Sequence, residues 1–244
     1  MTENKIPHVI HYFWFGKAQK PPLIRKCIAS WYQYHPDWEI KEWNETNYDV
    51  NKIPYIREAY QQKKWAFVVD YARFDILNQY GGVSLDTDVE FLRPIPETLL
   101  DQEAFTGFET NDSVAPGLLY ASIPGQSVVQ KMVNAYEKTV FGGTSVTVCD
   151  ILTGILKASG LKSNNTAQTI DGVLILPNEY FCCFDHETQH FNITQNTVSI
   201  HHYAASWSPW YRKMRFRAIG FLAGLMGPER YKRIKHAILK RSKT

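Results

Sequence analysis

The stretch Ala66-Phe-Val-Val-Asp-Tyr-Ala-Arg-Phe-Asp-Ile-Leu-Asn-Gln-Tyr-Gly-Gly-Val-Ser-Leu-Asp-Thr-Asp88 changes its hydrophobic period partway, and that change decides the fold. From about Trp65 to Tyr80 the apolar residues Phe67, Val68, Tyr71, Phe74, Ile76 and Leu77 recur at helical spacing. Gly81-Gly82 supplies the left-handed exit that ends a helix. Val83 to Val89 reads as a strand, with Ser84, Asp86 and Asp88 on one side and Val83, Leu85, Thr87 and Val89 on the other. A helix feeding a strand in this way is a joint of an α/β domain.

On such a strand the two carboxylates lie about 6.6 Å apart at the backbone, so their side chains can converge on one hard cation. A cation held by Asp86 and Asp88 keeps open positions and can take two oxygens of a diphosphate. The tripeptide alone is common in chains of this length and carries little weight without its surroundings. A calcium loop is excluded because Phe91 stands where that loop needs glycine. On the preceding helix Asp70 and Arg73 are one turn apart and share a face, placed either to bind sugar hydroxyls jointly or to form an ordinary helix ion pair.

Toward the N-terminus, Ile6-Pro-His-Val-Ile-His-Tyr-Phe-Trp-Phe15 is an apolar run closed by Gly16, as expected of a strand buried on both faces. Pro21-Pro22 suits a helix start, Ile24, Cys27, Ile28 and Trp31 follow at helical spacing, and Pro36 stops them. Residues 38–43 read as a second strand, which completes a βαβ unit of the nucleotide-binding kind. Trp14 then falls at a strand's C-terminal end, where α/β sheets expose ligands, and its indole can stack on a base or pack in the core. Residues 101–180 mix short elements with turn signals and show no repeat.

Charge divides the 244 residues unevenly. Residues 211–244 hold eleven Lys/Arg against the single acid Glu229, whereas residues 1–210 hold 16 basic and 23 acidic side chains. The apolar stretch Ala218–Gly227 is about half the roughly 20 residues of a spanning helix, so the tail reads as a basic amphipathic segment lying on an anionic membrane surface, the alternative being a basic helix that packs on the body or binds nucleic acid. A polar start at Met1–Lys5 and scattered Cys27, Cys149, Cys182 and Cys183 lead us to expect a cytoplasmic chain with reduced thiols, peripheral on the cytosolic face of the plasma membrane. Cys182-Cys183 with His186 and His190 lacks the spacing of a zinc site.

Three ordered blocks, the 66–88 stretch, Ile6–Gly16 and Ile200-His-His-Tyr-Ala-Ala-Ser-Trp207, together resemble the DXD-containing sugar transferases of glycosyltransferase family 32, in size and flavour the bacterial capsular and exopolysaccharide type. The resemblance implies a GT-A-like (Rossmann-like) nucleotide-sugar-binding fold over residues 1–210, followed by the 211–244 tail. It implies a Mn²⁺ or Mg²⁺ ion and a retaining reaction. Carried onto this chain, it assigns donor-sugar binding to Asp70 and Arg73, base stacking to Trp14, and ribose and metal to Asp86 and Asp88. His202, Ser206 and Trp207 would close over the diphosphate, His202 with a place at the metal. Where the family has Tyr before its Leu-Asp-x-Asp run this chain has Ser84, which leaves the accepted sugar open. The function expected is transfer of a hexose (galactose, glucose, mannose or an N-acetylated relative) from a UDP-sugar to a glycan or polyprenyl-diphosphate-linked saccharide, with no nucleic-acid partner. A nucleotidyltransferase would call for a Gly-rich, basic phosphate loop, which residues 6–22 lack, and a non-catalytic sugar- or lipid-binding module would not need the intact acid set.

Overall fold

In the computed structural model, which describes residues 5–143, 146–185, 187–204 and 210–241, the chain opens with the expected βαβ unit. Strand β1 (Val9–Phe13) is buried along its length, helix α1 (Pro22–Tyr34) starts on the proline pair, and β2 (Glu39–Trp43) returns parallel to β1. Helices α2 (Pro54–Gln61) and α3 (Trp65–Tyr80) lead to β3 (Gly82–Ser84), parallel to β1 on its other side. There follow β4 (Val89–Phe91), α4 (Glu97–Leu100), β5 (Ala104–Gly107), β6 (Tyr120–Ser122), α5 (Ser127–Glu137) and α6 (Val148–Ala158). The chain continues through β7 (Gln168–Ile170), β8 (Val173–Leu176), β9 (Phe184–Asp185), β10 (His190–Phe191) and β11 (Ser199–His201) to α7 (Trp210–Met226) and α8 (Pro228–Arg241).

Seven strands make one sheet in the order β2-β1-β3-β6-β5-β8-β7. β2, β1, β3, β5 and β8 run the same way, and β6 and β7 oppose them. Side chains of α2, α3, α5 and α6 bury one face, while α1, α4 and residues 115–119 bury the other. This is the α/β, Rossmann-like arrangement expected from the sequence. The chain leaves β1 for β2 on one side and reaches β3 on the other, so a crevice opens at the carboxyl ends of β1 and β3. Trp14 follows β1, Asp86 follows β3, and Glu109 follows β5, all at that same edge.

Helix α3 is the central element, buried at Val68, Tyr71, Arg73, Phe74, Asp75 and Leu77. Its buried Asp75 is matched by Lys52 at 2.6 Å and by the Tyr48 hydroxyl at 3.0 Å, as a carboxylate removed from water requires. Gly81 and Gly82 take φ of 64° and 94°, the left-handed corner foreseen for the helix exit. The strand read over Val83–Val89 is corrected: β3 stops at Ser84, and a turn closed by Val89 N–H on the Asp86 carbonyl separates it from β4. Asp86 N–H bonds to the Gly117 carbonyl at 2.9 Å instead of to a neighbouring strand. The two acids therefore sit on a turn and not on one strand face.

The tail is a helical hairpin with Gly227 at its bend. Ala223 is buried, and side chains placed at Gly220 or Gly224 would touch Gln189 and His190 of the β9–β10 hairpin. Helix α8 holds the same hairpin through Lys232–Asp185 at 2.7 Å and Lys235–Glu187 at 3.1 Å. Met214, Phe221, Leu222 and Leu225 of α7 are left exposed. Among the described residues no helix is long and apolar enough to cross a membrane.

His11 secures the α3–β3 corner from β1. Its buried ring places Nε2 3.0 Å from the Gly81 carbonyl, while Nδ1 accepts the Trp43 indole N–H at 3.1 Å. A neutral ring with its proton on Nε2 satisfies both partners. Burial, the largest influence, holds its pKa down at about 4 against the pull of the Gly81 carbonyl. The unfolded chain takes up this proton near 6.5, so the stability due to neutral His11 is complete above that pH and is lost as pH falls toward about 4. We expect the His11 ring resonances to show no titration above about pH 5, and its share of the acid destabilisation, from chemical unfolding, to be about 3 kcal/mol.

Candidate metal centre and adjoining cavity

The turn after β3 brings Asp86 and Asp88 to one spot, and three other segments hold them there. From α3, the buried Arg73 guanidinium donates to the Asp86 carboxylate and to the Pro116 carbonyl. Gly117 lies so close that a Cβ on it would stand 2.5 Å from Asp86 Oδ2. Asp88 accepts Ala204 N–H at 2.8 Å on its carboxylate and His202 N–H at 3.0 Å on its carbonyl, which ties the turn to the segment after β11.

β11 pairs antiparallel with β4, with His201 opposite Val89. His201 Nε2 lies 3.0 Å from Asp88 Oδ1 and 3.6 Å from Asp86 Oδ2. These are ion-pair distances without hydrogen-bond alignment, and neither ring nitrogen has a hydrogen-bond partner among the described residues. One ligand atom from each of Asp86, Asp88 and His201 lies within 4.8 Å of the other two. Two carboxylates and an imidazole, the latter otherwise unsatisfied, form a donor set that fits a divalent cation.

His202, expected from sequence at the metal, points elsewhere. Its Nε2 is 2.7 Å from Glu90 Oε2, and Glu90 also binds Lys26 at 2.8 Å. Successive side chains of an extended segment alternate in direction, so only one of the two histidines can face the carboxylates, and the register with β4 selects His201.

Beside the cluster lies a cavity of about 120 Å³ whose lining includes Asp70, Arg73, Asp86, Glu109, Cys149 and His201. Burial disfavours the Asp86 charge, but Arg73 and His201 outweigh it and hold the carboxyl at about 2. Asp88 is likewise held below the usual carboxylate range, burial opposing and His201 prevailing. Asp70 is pushed up to about 7, by burial above all and by Asp86, with Arg73 only partly offsetting them. Burial tends to lower the His201 pKa, yet the two aspartates raise it to about 10. Burial and the nearby carboxylates push the Cys149 thiol to about 12, which makes it a poor nucleophile.

Asp70 and Arg73 thus reach the same cavity, as their spacing suggested, with Arg73 engaged by Asp86. Trp14 faces a separate recess of about 330 Å³, lined also by Lys17, Lys20, Glu42, Asn44 and Glu45. Its half-buried indole donates to the Ala18 carbonyl at 2.6 Å, and Lys20 Nζ lies 5.6 Å from the ring. Ser206 and Trp207 lie outside the described residues. The sequence offers His201 and His202 together as groups able to reach a metal or phosphate, and the structure tells them apart. Glu109 and Gly117 were not singled out from sequence, and a carboxylate just past a strand could have flagged Glu109.

Residues 21–106 match the family model described as the glycosyltransferase sugar-binding region containing the DXD motif. No curated protein matches the chain. Among solved structures, the chain is similar to the PaToxG glycosyltransferase at 14% identity, covering 63% of this chain and 68% of that one, with a TM-score of 0.48. It is similar to a glycosyltransferase involved in glycosylating the major capsid of PBCV-1 at 9% identity, covering 87% and 99%, with a TM-score of 0.49. With the galactosyltransferase LgtC, solved with donor and acceptor sugar analogs, it shares 13% identity over 87% and 95% of the chains, with a TM-score of 0.47.

The geometry predicts that Mn²⁺ raises the melting temperature of the wild type but not of Asp88→Asn. Gly117→Ala, which forces Asp86 aside, should weaken Mn²⁺ binding by about 10–100-fold, the range for disturbing a ligand's support. Calorimetric titration checks both.

Proposed function

We propose that this glycosyltransferase, with a DXD sugar-binding region in residues 21–106, transfers a hexose with retention from a UDP-sugar to a glycan or polyprenyl-diphosphate-linked saccharide in surface polysaccharide synthesis. The observation that carries the reading is the Asp86–Asp88–His201 cluster abutting a small charged cavity at the sheet's carboxyl edge, with the Trp14 recess at the neighbouring strand end. Indole and basic groups in that recess suit a nucleobase, while hydroxyls of the sugar suit the Asp70 side. A Mn²⁺ ion suits two carboxylates and an imidazole better than Mg²⁺, which favours oxygen ligands. When bound, the ion supplies the charge that stabilises the departing nucleoside diphosphate. Arg73 keeps Asp86 ionised and oriented throughout, and Ser206 and Trp207 are assigned to the diphosphate. Cys149 is too basic to attack, and the attack that retains configuration is assigned to the acceptor hydroxyl on the leaving group's face. The direct test is a panel of nucleotide sugars with and without Mn²⁺. Nucleoside-diphosphate release should appear for UDP-hexoses only with the metal, and release that survives chelator would overturn the reading.

The tail is assigned to the anionic cytosolic face of the plasma membrane. Lys232 and Lys235 are engaged by the body, but the exposed Phe221, Leu222 and Leu225 lie within a stretch, residues 211–244, that holds eleven Lys/Arg against one acid. Each basic group near such a surface contributes about 1 kcal/mol, and the apolar side chains add to that. Phe221→Ser with Leu225→Ser should abolish sedimentation with anionic vesicles at low salt while nucleotide-sugar hydrolysis persists. Equal sedimentation of both proteins would return the tail to a purely structural role.

A further inference from the structure

The small cavity is lined by three carboxylates, and their commitments differ. Asp86 is held by Arg73 and faces His201. Asp70 lies on α3, one turn before Arg73. Glu109, just past β5, receives the Tyr203 hydroxyl at 2.9 Å on Oε1, and its other oxygen has no hydrogen-bond partner among the described residues. A carboxylate oxygen accepts hydrogen bonds, so the spare oxygen is available to an O–H or N–H donor of a ligand in the cavity.

Glu109 is also held in place. Tyr203 stands in a left-handed backbone conformation, φ 47°, directly after the two histidines. Its ring meets the His201 ring edge-on at 4.2 Å, and its oxygen lies 3.0 Å from the buried Cys182 Sγ. With the phenol proton given to Glu109, the thiol donates to the phenol oxygen, and the chain of donors ends on Glu109. One tyrosine thus touches both His201 of the cluster and Glu109 of the cavity lining.

We propose that Glu109 is a specificity-determining residue for the donor, accepting a hydrogen bond from a hydroxyl of the transferred hexose. The proposal rests on the transferase reading above. The donor sugar is the relevant ligand because Glu109 shares a cavity of about 120 Å³ with Asp86 and His201, and the sugar joined to a metal-bound diphosphate must lie within such reach. A site built to bond a hydroxyl strongly rejects the analogue lacking it, because its own acceptor is left unpaired. Tyr203 acts as a positioning residue.

The test uses the full chain with Mn²⁺ and the nucleotide sugar that the wild type hydrolyses fastest, together with the deoxy analogues of its hexose. Glu109→Ala should lower kcat/KM about 10–100-fold, the range for a hydrogen bond to a charged group, while nucleoside-diphosphate affinity stays within about twofold. The wild type should discriminate against one deoxy analogue, and Glu109→Ala should lose that discrimination because the two deletions remove the same bond. Glu109→Gln, which keeps the volume, should fall between, and Tyr203→Phe should show the same pattern more weakly. Unchanged kcat/KM in both Glu109 variants, or nucleoside-diphosphate affinity falling in step with that of the nucleotide sugar, would overturn the proposal. A wild type that turns over no nucleotide sugar sinks the transferase reading itself, whereas an active wild type with indifferent Glu109 variants removes only this assignment.

Discussion

The pair between the buried Arg73 guanidinium and the half-buried Asp86 carboxylate is the interaction on which the site depends. A guanidinium in the centre of α3 has lost its water, and among the described residues it recovers hydrogen bonds from the Asp86 carboxylate and the Pro116 carbonyl. Removing the carboxylate strands the buried guanidinium, and an uncompensated buried charge typically costs about 3–5 kcal/mol. The pair therefore fixes the turn after β3 against the helix before it, and the 115–117 loop against both. Gly117 completes the arrangement by lacking a side chain where Asp86 must lie.

Around this pair, opposed charges are placed within a few ångströms at different degrees of protonation. Asp86 stays ionised because Arg73 is adjacent, while Asp70, one turn earlier on the same helix, is pushed toward neutrality by burial and by Asp86 itself. Two carboxyl groups on one cavity can then serve different ends, one as a charge and one as a hydrogen-bond donor, without any difference in residue type. The uneven charge of the whole chain repeats this on a larger scale, with an acidic body carrying a basic hairpin that Asp185 and Glu187 hold against it.

Much of the framework was legible in sequence because it is encoded locally. The proline pair before α1, the apolar run of β1 and the glycine corner after α3 each impose a backbone preference that no distant contact overrides. What was not legible depends on partners far along the chain. The break at Ser84 follows from the Gly117 carbonyl taking the Asp86 N–H, and no period in residues 83–89 announces that. His201 and His202 are equivalent in sequence and are told apart only by the register of β11 on β4. Glu109 sits in an unremarkable stretch and joins the site because β5 ends at the same edge as β3. Hydropathy marked the tail as amphipathic but could not show that its glycines Gly220 and Gly224 face the β9–β10 hairpin.

The cluster draws its ligands from the turn at residues 86–88 and from β11, which is translated more than a hundred residues later. Until β11 has left the ribosome and paired with β4, a nascent chain holds two aspartates with no histidine between them, and the tyrosine that braces Glu109 is missing as well. The crevice at the sheet edge can form earlier, since β1, β2 and β3 all lie before Leu85. The residue set that could hold a cation is thereby complete only once β11 has paired, and a partly synthesised molecule lacks it.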